Sequence, residues 1–95
     1  REALASLEHL VVQDIFLTET AYLADVVLPA TAWPEKDGTV TNTDRMVQLG
    51  RKAIEPPGEA KPDLWIINQI ARGMGLDWRY EHPREVFDEM RQGMD

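Results

Sequence analysis

Gln13 and Asp14 close a short apolar run, Lys36 sits in the loop Trp33-Pro34-Glu35-Lys36-Asp37-Gly38, and Asp63 opens the clearest helical pattern of the chain. In an open α/β sheet, ligands lie beyond the carboxyl ends of the strands, so Gln13-Asp14 occupies a ligand-facing position. A carboxylate there can accept two parallel hydrogen bonds from a guanine, whose N1 and exocyclic N2 both donate, whereas adenine offers an acceptor at N1. An ammonium at Lys36 can neutralise a pyrophosphate. Each residue also has an ordinary reading that spacing alone does not displace. Asp commonly opens a loop after a strand, a loop lysine is commonly solvated, and Asp63 is accounted for by the helix dipole, worth about 0.3–1 kcal/mol.

No self-contained active site accompanies them. His9 and His82 are separated by 72 intervening residues, with no triad-like or HxxxH spacing, and read as structural or surface residues. There is no GxGxxG, phosphate loop or GxSxG. The absence of cysteine excludes a thiolate nucleophile, an iron–sulfur cluster or a Cys-based zinc site within these residues. Lys and Arg number 10 against 17 Asp and Glu, a net charge of −7 that repels an extended phosphate backbone, so nucleic acid is not an expected partner. Nor is a membrane: no apolar run approaches the ~20 residues a spanning helix needs, and the expected compartment is the cytoplasm. At 95 residues the chain allows one small domain. Folded compactly it would expose roughly 5,500 Å² and bury about 65% of its unfolded surface. The opening at Arg1, without an initiator Met, reads as a segment of a longer protein.

The elements that must position these residues can be placed by pattern. Leu10-Val11-Val12-Gln13-Asp14 reads as a buried strand, and Asp25-Val26-Val27-Leu28-Pro29 as a second one stopped by its proline. Between them Thr18 can cap a short helix over Ala21–Ala24. Strand, short helix, strand suggests parallel pairing, although the helix is too brief for a full crossover. Residues 30–38 read as loop. Thr39–Thr41 and Met46–Leu49 are β-prone runs around a turn at Asn42–Arg45, and Glu55–Glu59 is a connector. A helix opens at Pro62-Asp63, with Leu64, Ile67, Ala71 and Met74 as its apolar stripe and Ile66 and Ile70 widening it, and ends at Gly73–Gly75. A last helix from Pro83 to about Gln92 is expected to bury Val86, Phe87 and Met90. Trp33, Trp65 and Trp78 read as core or interface residues rather than a stacking platform.

The stretch LVVQDIFLTETAYLADVVLPATAWPEKDGTVTNTDRMVQ, followed by PPGEAKPDLWIINQIARGMG, resembles the molybdopterin-binding oxidoreductases of the dimethyl sulfoxide reductase class, and most of all the formate dehydrogenase catalytic (alpha) subunits. The resemblance runs from Leu7 to Gly75 and rests on QD, TETA, ADVVLP, W-x-EK-x-G, TN-x-x-R and GEA-x-x-D in that order. It implies an α/β fold, with residues 1–95 forming a fragment of an open, Rossmann-like domain that binds molybdopterin guanine dinucleotide. Gln13 and Asp14 match the strand-end pair that holds the nucleotide end of the cofactor, Lys36 matches the lysine of the WxEK loop, and Asp63 matches the acid after the GEA motif. Asp25 and Glu35 are expected to be structural. Relatives often carry Glu-Arg-Arg where this chain has Asp44-Arg45-Met46, and a small residue at Pro34; neither departure removes a proposed ligand.

The resemblance further implies a parent enzyme that holds molybdenum or tungsten between two such dinucleotides (bis-MGD), oxidises formate to carbon dioxide, and passes two electrons through iron–sulfur clusters to an acceptor. The metal-binding cysteine or selenocysteine, the adjacent histidine and the active-site arginine of the family match nothing in this segment, so no residue here is catalytic or a metal ligand, and the segment alone is expected to be inactive. Its partners are the rest of the catalytic subunit and the electron-transfer subunits, and bare strand edges would favour self-association of the excised segment. A nitrate reductase and the large iron–sulfur subunit of an NADH:quinone oxidoreductase stay open within the class. A freestanding acidic module that docks through exposed Trp and Met residues stays open outside it, separated from the enzyme by whether the reading frame continues on both sides.

Overall fold

A computed structural model describes residues 2–94, in which short strands and helices alternate. A four-residue helix α1 (Glu2–Ala5), absent from the sequence expectation, precedes strand β1 (Val11–Asp14). Strand β2 (Val26–Pro29) pairs with β1 in parallel, in the register Val11↔Val26 to Asp14↔Pro29. A single 3-10 turn at Ala21–Leu23 lies between them. The connection is held at its far end by Asp25, whose backbone N–H donates to Leu10 O at 2.9 Å and whose carboxylate accepts from Leu10 N at 2.7 Å. That clamp closes a parallel pair without a full crossover helix.

Strands β3 (Gly38–Thr41) and β4 (Val47–Gly50) form a separate antiparallel hairpin. Its turn is closed by Arg45 N donating to Asn42 O at 2.9 Å, with Arg45 at φ 66°, and Asp44 Oδ1 accepts from Met46 N at 3.1 Å. The fold is thus a mixture of helix and strand with two small sheets.

Helix α2 (Asp63–Gly73) follows Pro62, whose extended backbone and missing N–H suit the position before a first turn. It ends where the sequence places the stop. Gly75 takes φ 87°, its N–H donates to Arg72 O at 3.0 Å, and Leu76 N donates to Ala71 O at 2.9 Å, the paired bonds of a Schellman cap. Helix α3 (Pro83–Met90) is capped by His82, whose Nδ1 accepts from Arg84 N at 3.1 Å, while Glu85 reaches back to His82 N at 3.3 Å. Tyr80 ties the connecting segment to both helices: its carbonyl accepts from Asn68 Nδ2, and its hydroxyl donates to Glu89.

Burial departs from expectation. The buried apolar residues among those described are Ala21, Ala30, Ile66 and Ala71, joined by Thr31 and Asn68. Strand β1 is half-buried at best, and no strand is enclosed. Of the widened stripe expected to face the core on α2, only Ile66 and Ala71 are buried, while Ile67 and Met74 are 45% and 76% exposed. Helix α3 buries none of its residues, with Phe87 and Met90 both more than half exposed, and all three tryptophans keep substantial exposure. The cause is geometric. Two two-stranded sheets are too narrow to cover the apolar faces that the patterning creates, and a strand is enclosed only by neighbours on both sides. The surface is accordingly 8055 Å², well above the roughly 5,500 Å² of a compact chain of this mass. The radius of gyration is 15.8 Å where about 12 Å is the norm for this length.

Candidate functional site

Backbone pairing brings three distant segments to the carboxyl end of the β1–β2 pair. Ala30 N donates to Asp14 O at 3.0 Å, prolonging the parallel ladder past Pro29. On the other side of β2, Lys61 N donates to Pro29 O at 3.0 Å, and Ala30 and Lys61 form a parallel bridge. The chain entering α2 therefore runs alongside the end of β2 and delivers Asp63 to the strand tips.

The loop that carries Lys36 is anchored on both sides of the lysine. Glu35 Oε2 accepts from Ala32 N at 2.8 Å, and Pro34 O accepts from Ala53 N at 2.8 Å. Asp37 Oδ1 accepts from Lys52 N at 2.8 Å, binding the loop to the exit of β4. Glu35 and Asp37 thus serve the backbone, and Lys36 between them is free to reach across.

It reaches Asp63. The Lys36 ammonium donates to Asp63 Oδ2, and Gln13 Nε2 donates to Asp63 Oδ1 at 2.6 Å. Gln13, Lys36 and Asp63 form one hydrogen-bonded cluster, with the side chains of Lys36 and Asp63 32% and 40% exposed. Partial burial pushes the Asp63 carboxyl upward, but the hydrogen bonds from Lys36 and Gln13, with the lysine charge, outweigh it and hold the group below its ordinary 3.8.

Asp14 stands apart from this cluster. Successive side chains of a strand leave on opposite faces, and Asp14 Oδ1 accepts from Ile15 N at 2.7 Å and Phe16 N at 3.3 Å. That is an Asx turn, the loop-opening role the residue type allows, and it engages one carboxylate oxygen. His9 lies 3.8 Å from Asp25, and His82 caps α3 with Nε2 3.5 Å from Asp37, so both histidines have structural surroundings. Among the described residues no group of His, Cys, Asp and Glu is arranged to hold a metal ion.

Beside the cluster, between the entry to α2 and the segment before α3, opens a cleft of about 640 Å³ whose lining includes Lys36, Lys52, Lys61, Asp63, Trp65 and His82. The Lys61 ammonium lies 5.8 Å from the centre of the Trp65 ring. Sequence reasoning did not mark Lys61. Its signal is only the Pro62-Asp63 helix start that follows, since a single-residue bridge has no periodicity to detect.

A molybdopterin oxidoreductase family profile matches residues 1–73. The chain is 59% identical over 93 residues to the F420-dependent formate dehydrogenase subunit alpha of Methanocaldococcus jannaschii, covering 96% of this chain and 14% of that protein. It is 55% identical over 89 residues to a putative formate dehydrogenase of Bacillus subtilis, covering 94% of this chain and 9% of that protein. A second F420-dependent alpha subunit, from Methanococcus maripaludis, is 57% identical over 91 residues, covering 94% of this chain and 14% of that protein. The mixed helix and strand architecture and the profile together define the class: the chain belongs to the molybdopterin oxidoreductase family. Its curated relatives are named as formate dehydrogenases, and the chain spans about a tenth to a seventh of their length.

Proposed function

We propose that this chain is part of the catalytic subunit of a molybdenum- or tungsten-dependent formate dehydrogenase, and that Gln13, Asp14, Lys36 and Asp63 build the site for the guanine nucleotide end of its molybdopterin cofactor. The observation that carries the reading is the convergence of Gln13, Lys36 and Asp63, from three separate segments, at the carboxyl end of two parallel strands. Ligands of open α/β sheets sit at that end, and the β1–β2 pair is read as two strands of such a sheet, continued by the rest of the subunit.

The donor set suits the group. Lys36 spends one N–H on Asp63 and keeps two for a pyrophosphate. The Gln13 amide, with its nitrogen on Asp63, keeps Oε1 as an acceptor for a ribose hydroxyl. Asp14 keeps Oδ2, outside the Asx turn, as an acceptor for the guanine donors. When bound, the cofactor supplies the metal centre at which formate is oxidised to carbon dioxide. The residues of this chain bind and orient, an iron–sulfur cluster of the parent lies outside this segment, and electron-transfer subunits complete the assembly. The exposed apolar faces of α2 and α3 are read as surfaces buried by the remainder of the subunit, and as the cause of self-association in the excised segment.

Full-length protein carrying this segment, purified anaerobically, tests the reading. Formate-dependent reduction of a viologen dye, together with guanosine monophosphate released on acid hydrolysis, is the expected result. No formate-dependent dye reduction by protein that carries the metal and the nucleotide would remove the substrate assignment, and a different nucleotide in the hydrolysate would remove the guanine site.

A further inference from the structure

Resting on that reading of the site, we propose that Asp63 is a positioning residue that acts through Lys36 and Gln13 and makes no contact of its own with the nucleotide. Both of its oxygens are engaged, Oδ1 by Gln13 Nε2 at 2.6 Å and Oδ2 by the Lys36 ammonium. A carboxylate offered directly to a diphosphate would repel it, since like charges a few ångströms apart in a partly desolvated site cost energy. The same carboxylate as an acceptor for two donors is useful. It holds the end of a long, flexible lysine whose loop is already fixed at Glu35 and Asp37, and so lowers the side-chain entropy that a ligand would otherwise have to remove.

It also decides which end of the Gln13 amide faces outward. A carboxylate can only accept, so the amide nitrogen must turn to Asp63 and the carbonyl oxygen to the ligand side. Asp63 itself is held by backbone: it opens α2 directly after the Lys61 bridge to Ala30, in register with the strand tips it serves.

The sign of one substitution separates this role from its rivals. The full-length protein, purified from cells that cannot make the cofactor, is titrated calorimetrically with GDP and with ADP, alongside Asp63→Asn, Asp63→Glu, the pair Gln13→Leu/Lys36→Met, and the triple variant that adds Asp63→Asn. Positioning requires that Asp63→Asn weaken GDP binding about tenfold, the size of one lost charge-assisted hydrogen bond, even though a negative charge has been removed from beside a diphosphate. It requires Asp63→Glu, which keeps the charge and both oxygens, to recover part of that loss. It also requires Asp63→Asn to have no further effect once Gln13 and Lys36 are gone, the non-additivity of residues that share one network.

Tighter GDP binding in Asp63→Asn would overturn the proposal, because the carboxylate would then be only a repulsive neighbour. An equal loss in the wild-type and Gln13→Leu/Lys36→Met backgrounds would overturn it differently, making Asp63 a direct ligand and leaving the site assignment standing. Wild-type protein that binds GDP no better than ADP would remove the site assignment and the positioning role together. If Asp63→Asn does not fold, Asp63→Glu in both backgrounds gives the same comparison.

Discussion

Asp63 Oδ1 accepts a hydrogen bond from Gln13 Nε2 at 2.6 Å across fifty positions of sequence. The contact joins the first residue of α2 to the end of β1, and Lys36 enters it from a third segment. It is the point at which the parallel strands, the lysine loop and the longest helix of the chain are tied together.

That tie carries a pH signature. The Asp63 carboxyl is held below its ordinary 3.8 in the folded chain. A group whose pKa is depressed by folding contributes stability above its unfolded value and loses it as the pH falls through the folded value. Wild-type protein should therefore lose urea resistance as the pH drops below 3.8, and Asp63→Asn should lose less over the same interval. Unfolding midpoints at about pH 6 and about pH 3 make the comparison, and equal acid sensitivity in the two proteins would show that the link adds nothing to stability.

Asp14→Asn separates two roles of one side chain. Asn keeps Oδ1 for the turn at Ile15 and Phe16 but cannot offer a second acceptor. The variant should fold normally and bind guanine nucleotide on the order of tenfold more weakly, since a hydrogen bond to a charged acceptor is worth about 1.5–3 kcal/mol. Guanine nucleotide and metal contents equal to wild type, measured on the full-length enzyme, would refute the assignment of Asp14 to the base.

Gly75→Ala should destabilise the protein by about 1 kcal/mol, the cost of a Cβ in the left-handed region. Nothing lies within 4 Å of the added carbon, so the effect is conformational rather than steric. Gly73→Ala, whose backbone does not take a positive φ, is the control and should be neutral or slightly stabilising. Thermal unfolding of both variants checks the difference.

Thr31→Val should be neutral or stabilising by up to about 1 kcal/mol. Thr31 is 1% exposed, and its hydroxyl has no hydrogen-bond partner among the described residues. Replacing it by a methyl of the same shape removes a buried polar group without opening a cavity. A clear loss of stability in urea would show that the hydroxyl is bonded in solution.

The elements themselves were legible in the residues. β-Branched runs ending at Asp14 and Pro29, the Pro62-Asp63 helix start and the Gly73–Gly75 stop lie where the strands and α2 are found, because strand propensity, proline and glycine act through local sterics. The cap at His82 was not legible, since an imidazole acceptor at a helix start depends on the ring being turned to Arg84 N.

Burial was the larger miss, and its reason is physical. Apolar spacing shows that Ile67, Met74, Phe87 and Met90 want cover, but it cannot say whether these 95 residues provide it. Among the described residues they do not.

The sequence by itself determined the chemistry available and the family to which it belongs: a carboxylate and an amide after a strand, a lysine in a Trp-x-Glu-Lys loop, an acid at a helix start, and no cysteine. Only the tertiary structure decided that Gln13, Lys36 and Asp63 share one hydrogen-bonded cluster while Asp14 turns away into a local turn. Residue type and spacing are local properties. The meeting of positions 13, 36 and 63 rests on backbone contacts between distant segments, the Ala30–Lys61 bridge and the Ala53 N to Pro34 O bond among them, which no local pattern encodes.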